Sequence, residues 1–315
     1  MGLRGALEWL VARATYPAIV VSSLLLATEL MRHGATAGMT TSIVFVVVLL
    51  ATAVLERIRP HEPVWNARLP ELRQDAAYLV LASVLQSAGK FVGQLLAVGV
   101  SLVVLELLGG RTWLVGVPLW ARVGVALLLS DLAKYALHRL AHERPWWWRF
   151  HAEHHAPTRM YSLNATRLHP VNLLWNVALD AAAPVLLGLD ARAVVLVAVF
   201  RGTISVLQHA NVRLVLGPLD WIFSTPALHQ WHHSAALGEA NSNYGSTFIL
   251  WDVLFGTRHL PCARRAPVAL GLADGAPHPL GLRHQLVWPW CASRASSCRS
   301  LRGWQPTADG GDVAT

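Results

Sequence analysis

The chain has 315 residues, 54% of them hydrophobic and 14% charged, with a mean hydropathy of +0.41 and a formal net charge of +8. So apolar a composition excludes an ordinary soluble domain. The positive charge comes almost entirely from arginines placed between apolar runs, as in the loops of a membrane protein. No basic helix or aromatic-interleaved patch marks a nucleic-acid binder, and no nucleic-acid partner is expected.

Thr15–Met31 and Thr40–Leu55 are the first two apolar runs, each close to the length that crosses a bilayer. A polar loop from Glu56 to Asp75 follows. Ala76–Leu108 is too long for one simple span, and Gln86–Lys90 reads as an interruption. Its first half is expected to be interfacial or re-entrant, with Phe91–Leu108 as the crossing. Val117–Leu137 is the fourth span. Val171–Leu207 carries Gly188–Arg192 at its middle and predicts a helical hairpin, each arm marginal as a span. Beyond Ala292 the chain turns small and polar, and disorder is expected.

The expected fold is an all-α integral membrane bundle. It has about four spans, a re-entrant or hairpin helical pair, and a histidine-rich helical cap. Three regions are expected: a transmembrane region 1–116, a histidine-rich segment 117–261, and a partly disordered tail 262–315. With the amino terminus inside, Arg4, Arg13, Arg57, Arg59, Arg68, Arg73 and the five arginines from Arg139 to Arg167 are cytoplasmic. Only Arg32, Arg111 and Arg122 fall outside. This bias puts the histidines on the cytoplasmic side.

The histidines carry the chemistry. HRLAH holds His138 and His142; HAEHH holds His151, His154 and His155; HQWHH holds His229, His232 and His233. Residues three or four apart share a helix face, so each helix offers two or three imidazoles to one point. Eight imidazoles exceed what one ion takes and suit two metals with open positions. Imidazole serves zinc, copper, iron and nickel alike, so the donors alone do not name the metal. His209 joins them as a ligand or a support. Asp131 and His169 are the candidate catalytic residues beside them. Asp131 lies two turns before His138 on the same face, placed to orient an imidazole or to pair with Lys134. Glu153 and Trp231 sit inside the triplets but point off the ligand face. Trp146, Trp147 and Trp148 suit interfacial anchors or ordinary packing. His33, His61, His259, His278 and His284 read as loop residues without a role. Cys262, Cys291 and Cys298 form no CxxC pair, which argues against a cysteine-held cluster. There is no H-E-x-x-H, phosphate loop or serine elbow.

From Asp131 to Pro261 the chain resembles the fatty acid hydroxylase superfamily, which includes sterol desaturases and C-4 methylsterol oxidases. The three histidine boxes match in order and spacing, as do RLHP at 167–170, QHANV at 208–212, NYG at 243–245 and WDVLFGT at 251–257. The resemblance makes 117–261 a catalytic domain. It implies two iron ions (Fe2+/Fe3+), O2 as co-substrate, and attack on an unactivated C–H bond of a fatty acyl chain, sterol or related lipid taken from the bilayer. The carried-over iron ligands are His138, His142, His151, His154, His155, His229, His232 and His233. His209 stands where the family often has a further histidine, while its usual companion four residues earlier is Ser205. The outcome is hydroxylation or desaturation in lipid metabolism. With no dinucleotide fingerprint or ferredoxin cysteine run, electrons are expected from a separate ferredoxin, or a cytochrome plus reductase. The competing reading is a membrane metal-binding or transport protein without oxygenase activity. It needs ionisable residues along a transbilayer path, whereas the histidines cluster outside the spans.

Overall fold

The computed structural model describes residues 2–66, 71–107, 116–262, 266–272, 278–279 and 281–291. Among these the chain is helical with no extended strand; only isolated bridges occur, such as Pro60 with Val212. The long helices are α1 (Leu3–Arg32), α2 (Ala37–Ile58), α3 (Leu72–Leu107), α4 (Leu119–Glu143), α6 (Pro170–Leu186) and α7 (Ala191–Gln208). The short ones are α5 (Pro145–His155), α8 (Pro226–His232), α9 (Leu237–Ala240), α10 (Leu250–Phe255) and α11 (Leu282–Cys291).

Among the described residues, three helices are long and apolar enough to cross a membrane: 5–32, 37–58 and 191–208. On α1 and α2 the apolar character runs all round. Val21, Leu25, Leu50 and Val54 face outward, as a lipid-bathed helix requires. Their inner faces enclose α7: Ala27, Val44 and Val48 pack on Val195, Val199 and Val206. Tyr16 and Val20 pack on Ile204 and Leu207, and α4 closes the other side through Ala126 and Leu127 against Val197. α7 is thus the axis of the bundle.

α6 and α7 form the expected helical hairpin, joined through Gly188, whose φ of +59° favours glycine. Asp190 caps α7 through the Ala193 N–H and pairs with Arg122 at 2.7 Å. The expected interruption near Gln86–Lys90 is absent, since α3 is one helix of 36 residues. Ser87 bonds back to the Ser83 carbonyl within it, and an interior Gly costs a helix only about 1 kcal/mol. The tail expected to be partly disordered contributes α11; residues from 292 onward lie outside the described residues, as does Arg111.

α2 and α7 run in parallel and end together. The chain after α2 latches onto the chain after α7: the His61 N–H meets the Asn211 carbonyl, and the Arg213 N–H meets that of Arg59. Buried Glu56 accepts from the Ser162 and Asn211 amides at 2.7 and 3.0 Å. Ser162 lies in the segment after α5, so one carboxylate ties the membrane helices to the histidine layer.

Candidate metal centre

Four elements bring the histidines to this end of the bundle. α4 carries His138 and His142 in its last two turns. α5 begins at Pro145 and α8 at Pro226; each proline sits at the first helical position, where its missing N–H costs nothing. α5 ends in His151, His154 and His155, and α8 in His229, His232 and its cap His233. His209 caps α7.

The nine imidazoles fall into two groups: His138, His142, His151, His155 and His232, then His154, His209, His229 and His233. Within each group one ring nitrogen per residue lies within 4.8 Å of all the others. The groups abut, with His155 stacked on His233 at 4.2 Å between centroids. Each H-x-x-H-H box is divided. HAEHH gives its first and last histidines to the first group and its middle one to the second; HQWHH does the reverse. Neighbouring residues on a helix diverge by about 100°, so adjacent histidines aim at different points.

The proton positions follow from the partners. Nδ1 donates to the Tyr244 carbonyl in His138 (2.7 Å), the Ser242 carbonyl in His232 (2.7 Å) and the Asn172 side-chain oxygen in His151 (2.8 Å). His154 donates likewise to the Arg167 carbonyl (3.2 Å) and His209 to that of Ser205 (2.9 Å). These acceptors hold the proton on Nδ1, so Nε2 presents a lone pair. Yet Nε2 of His138 lies 2.9 Å from that of His151 and 3.0 Å from that of His232. Nε2 of His209 lies 3.3 Å from that of His154. Facing lone pairs repel unless a cation sits between them. Two nitrogens bound at about 2.1 Å to one ion are about 3.0 Å apart at a right angle and about 3.4 Å apart at the tetrahedral angle. The observed spacing fits that donor set. Burial holds His151 and His209 down to about 4, and burial with His151 nearby holds His232 down to about 3. All three are neutral donors at pH 7.

The carbonyls that orient His138 and His232 come from one loop, 241–249, fastened by acids. Asp252 accepts from the Tyr244 and Gly245 amides (2.8 and 2.7 Å) and the Thr257 hydroxyl. Asn243, at a φ of 53°, bonds the Leu228 and His259 carbonyls. At Gly245 a Cβ would meet the Phe248 carbonyl oxygen at 2.1 Å, so only glycine fits. A second brace lies behind α5. The Arg167 guanidinium, 4% exposed, donates to Glu153 at 2.7 Å and Asp75 at 3.1 Å. Asp75 also accepts from Tyr161 and Asn164, and Glu153 faces His278 at 2.6 Å. Arg167 thus anchors the carbonyl that orients His154, and a residue of α3 supports it.

The fatty acid hydroxylase family model matches residues 123–257. The ornithine lipid hydroxylase OlsE of Rhizobium tropici is 35% identical over 222 residues, covering 70% of this chain and 67% of its own. The chain belongs to the fatty acid hydroxylase family. Human alkylglycerol monooxygenase is 31% identical over 132 residues, 42% of this chain and 29% of that protein. A cholesterol 25-hydroxylase-like protein of Danio rerio is 30% identical over 143 residues, 44% and 55% respectively. No solved structure matches the chain. Membership in the fatty acid hydroxylase family makes the chain an oxygen-dependent, membrane-bound lipid oxidoreductase of an iron-dependent kind; a metal carrier without oxygenase chemistry is not favoured.

In this member of the fatty acid hydroxylase family the nine histidines singled out as ligands stand together, His209 included. Asp131 and His169 stand apart from them. Fully buried Asp131 accepts from the Thr247 and Phe248 amides at 2.8 and 3.1 Å, and these bonds tie it to the backbone rather than to an imidazole. Lys134 pairs with Asp180 at 3.2 Å, not with Asp131. His169 caps α6 through the Val171 N–H and donates to the Leu286 carbonyl of α11, so both its nitrogens are engaged. Trp148 packs on His142 and His155, Trp147 on Trp175, and Trp146 is half exposed. The sequence reading missed Asn172, Arg201 and the brace role of Arg167, and gave His278 no role. Asn172 had a signal, since it follows RLHP by two residues.

Proposed function

We propose that the chain is a di-iron lipid oxygenase, one ion held by His138, His142, His151, His155 and His232 and the other by His154, His209, His229 and His233. The observation that carries this reading is the opposed Nε2 lone pairs in each group. Iron supplies the redox chemistry that activates O2 toward a C–H bond. The chain's residues do the rest. Tyr244, Ser242, Asn172, Arg167 and Ser205 fix the imidazole tautomers and directions. Asp131 is a positioning residue that acts through the 241–249 loop, and His169 is one that fixes the start of α6, two residues before Asn172. Packed apolar helices exclude water and admit lipid from the bilayer.

The product is a hydroxylated or desaturated lipid, and electrons come from a separate ferredoxin, or a cytochrome plus reductase. The histidine end faces the cytoplasm: Arg57, Arg59, Arg139, Arg144, Arg149 and Arg159 cluster there, against Arg32, Arg122 and Arg192 at the other end. We read 117–261 as the catalytic segment, with walls supplied from earlier in the chain.

The test is iron content by plasma mass spectrometry together with lipid mass spectrometry of cells with and without the gene. Two irons per chain and a gain of one oxygen or loss of two hydrogens are expected. His154→Ala and His232→Ala each lose turnover and iron; full metal content in either variant refutes the ligand assignment. Turnover of purified protein without any electron donor refutes the external carrier.

A further inference from the structure

Between α4, α6 and α7 lies a cavity of ≈ 80 Å³ lined at one end by His138, His151, His154, His209 and His229. Its walls are mixed: Ala141, Ala165, Leu168 and Trp175 offer apolar surface, but the other side chains are not those of a cavity for hydrocarbon alone. The polar part consists of Lys134, Asn172, Asn176, Arg201, Ser205 and Gln208. Arg201 lies within α7, a helix apolar enough to span a membrane, and is only 6% exposed. A charge at such a place is costly and is kept for function.

The Arg201 guanidinium has one ion-pair neighbour and no hydrogen bond among the described residues. Nη2 forms an ion pair with Asp180 Oδ1 at 2.6 Å, but Nε, Nη1 and Nη2 are all buried without a hydrogen bond among the described residues, as is Asp180 Oδ1. Asp180 is shared with Lys134 at 3.2 Å, so one carboxylate serves two cations. Asp131, the other acid in this layer, is taken by the Thr247 and Phe248 amides. Donors therefore outnumber acceptors in a space that opens onto the metal ligands. Arg201, Ser205 and His209 follow at intervals of four along one face of α7, about 12 Å of helix rise from first to last. Lys134 stands one turn, about 6 Å, before His138 on α4. A mid-chain methylene run or a sterol ring would leave these N–H groups desolvated and unpaired.

We propose that this cavity binds the polar head of a lipid through a carboxylate or phosphate group on Arg201 and Lys134. The carbon oxidised then lies in the head or within a few bonds of it, rather than far along the acyl chain. The binding claim stands on the cavity alone; the regiochemical claim rests on the oxygenase reading above.

Two measurements test it. Purified full-length protein in maltoside micelles is titrated with N-lauroylglycine, lauryl alcohol and N-acetylglycine. N-lauroylglycine is expected to bind at least about tenfold more tightly than the alcohol, the usual worth of charge-assisted hydrogen bonds. Arg201→Gln abolishes that margin and Arg201→Lys retains part of it, while iron content stays at the wild-type level. Equal affinity for acid and alcohol in the wild type, or a margin that survives Arg201→Gln, overturns the proposal. N-acetylglycine binding as tightly as N-lauroylglycine also overturns it, in favour of a free-anion site. Should Arg201→Gln fail to accumulate, the wild-type comparison and Arg201→Lys decide. Secondly, oxidised lipids from expressing cells are fragmented by tandem mass spectrometry. Oxygen on the head-bearing fragment supports the proposal, and oxygen on the distal acyl fragment refutes it while leaving the oxygenase reading intact. A binding margin with no oxidised lipid refutes the oxygenase reading instead.

Discussion

Arg167→Met removes a cation buried between two carboxylates. In the native protein the guanidinium lies 2.7 Å from Glu153 and 3.1 Å from Asp75, with exposures of 4%, 2% and 0% for the three side chains. Methionine fills similar space but leaves two acids facing each other without compensation. Breaking a buried pair by removing one partner costs about 3–5 kcal/mol. At roughly 2–4 °C per kcal/mol for a protein of this size, the melting temperature in detergent falls on the order of 10 °C. The Arg167 carbonyl that receives His154 Nδ1–H moves with the disturbed backbone, so iron retention falls too. Combining Arg167→Met with Glu153→Gln and Asp75→Asn removes all three charges and restores most of the loss, because the cost is that of stranded acids. The assay is thermal unfolding with bound iron measured on the same samples. A single variant within about 1 kcal/mol of wild type, or a triple variant no better than the single, refutes the reasoning.

Asn172→Leu deprives His151 of its acceptor and is expected to weaken metal affinity about 10–100-fold, read by chelator competition. Gly245→Ala places a methyl at 2.1 Å from a backbone oxygen; it displaces the 241–249 loop and lowers iron content and activity together, whereas Gly238→Ala, with nothing within 4 Å, leaves both unchanged. The chelator-treated protein is expected to lose stability as pH falls from about 6.5 toward 4 and to be level above 6.5. His151, His209 and His232 have folded values held down to about 4, 4 and 3, so within that window the unfolded chain binds more protons. Each such histidine contributes on the order of 1.4 kcal/mol per pH unit, and a melt series that is flat from pH 4.5 to 7 contradicts this.

The histidine boxes and the hairpin were legible because side-chain spacing encodes them. Intervals of three and four put His151 with His155 and His229 with His233 on one helix face, and Gly188–Arg192 breaks an apolar run where a turn must fall. What supports the histidines was harder to see. Ser242 and Tyr244 act through backbone carbonyls, which any residue possesses, so the sequence carries no trace of them beyond Gly245 and Asn243. Asp131 was noticed as an acid in an apolar run, but its partners are amides 116 and 117 residues away. Arg201 lies in a run read only as a hairpin, and nothing in its local pattern shows that it faces a cavity beside the histidines. α3 continues through Gln86–Lys90 because the local helix cost of Ser and Gly is small beside the packing of a long helix. The division of each box between two groups is also invisible from face-sharing alone; it follows from the angular step between adjacent residues.

That division has a consequence for how iron enters. Since α5 and α8 each feed both groups, a first ion seated in one group would order the same two helices that a second would require, and the ordering cost would be met once. On the two-ion reading proposed above, loading is expected to be cooperative. A chain given one equivalent of Fe2+ is expected to sort into empty and doubly filled molecules, with few holding a single ion, and native mass spectrometry resolves the three species directly.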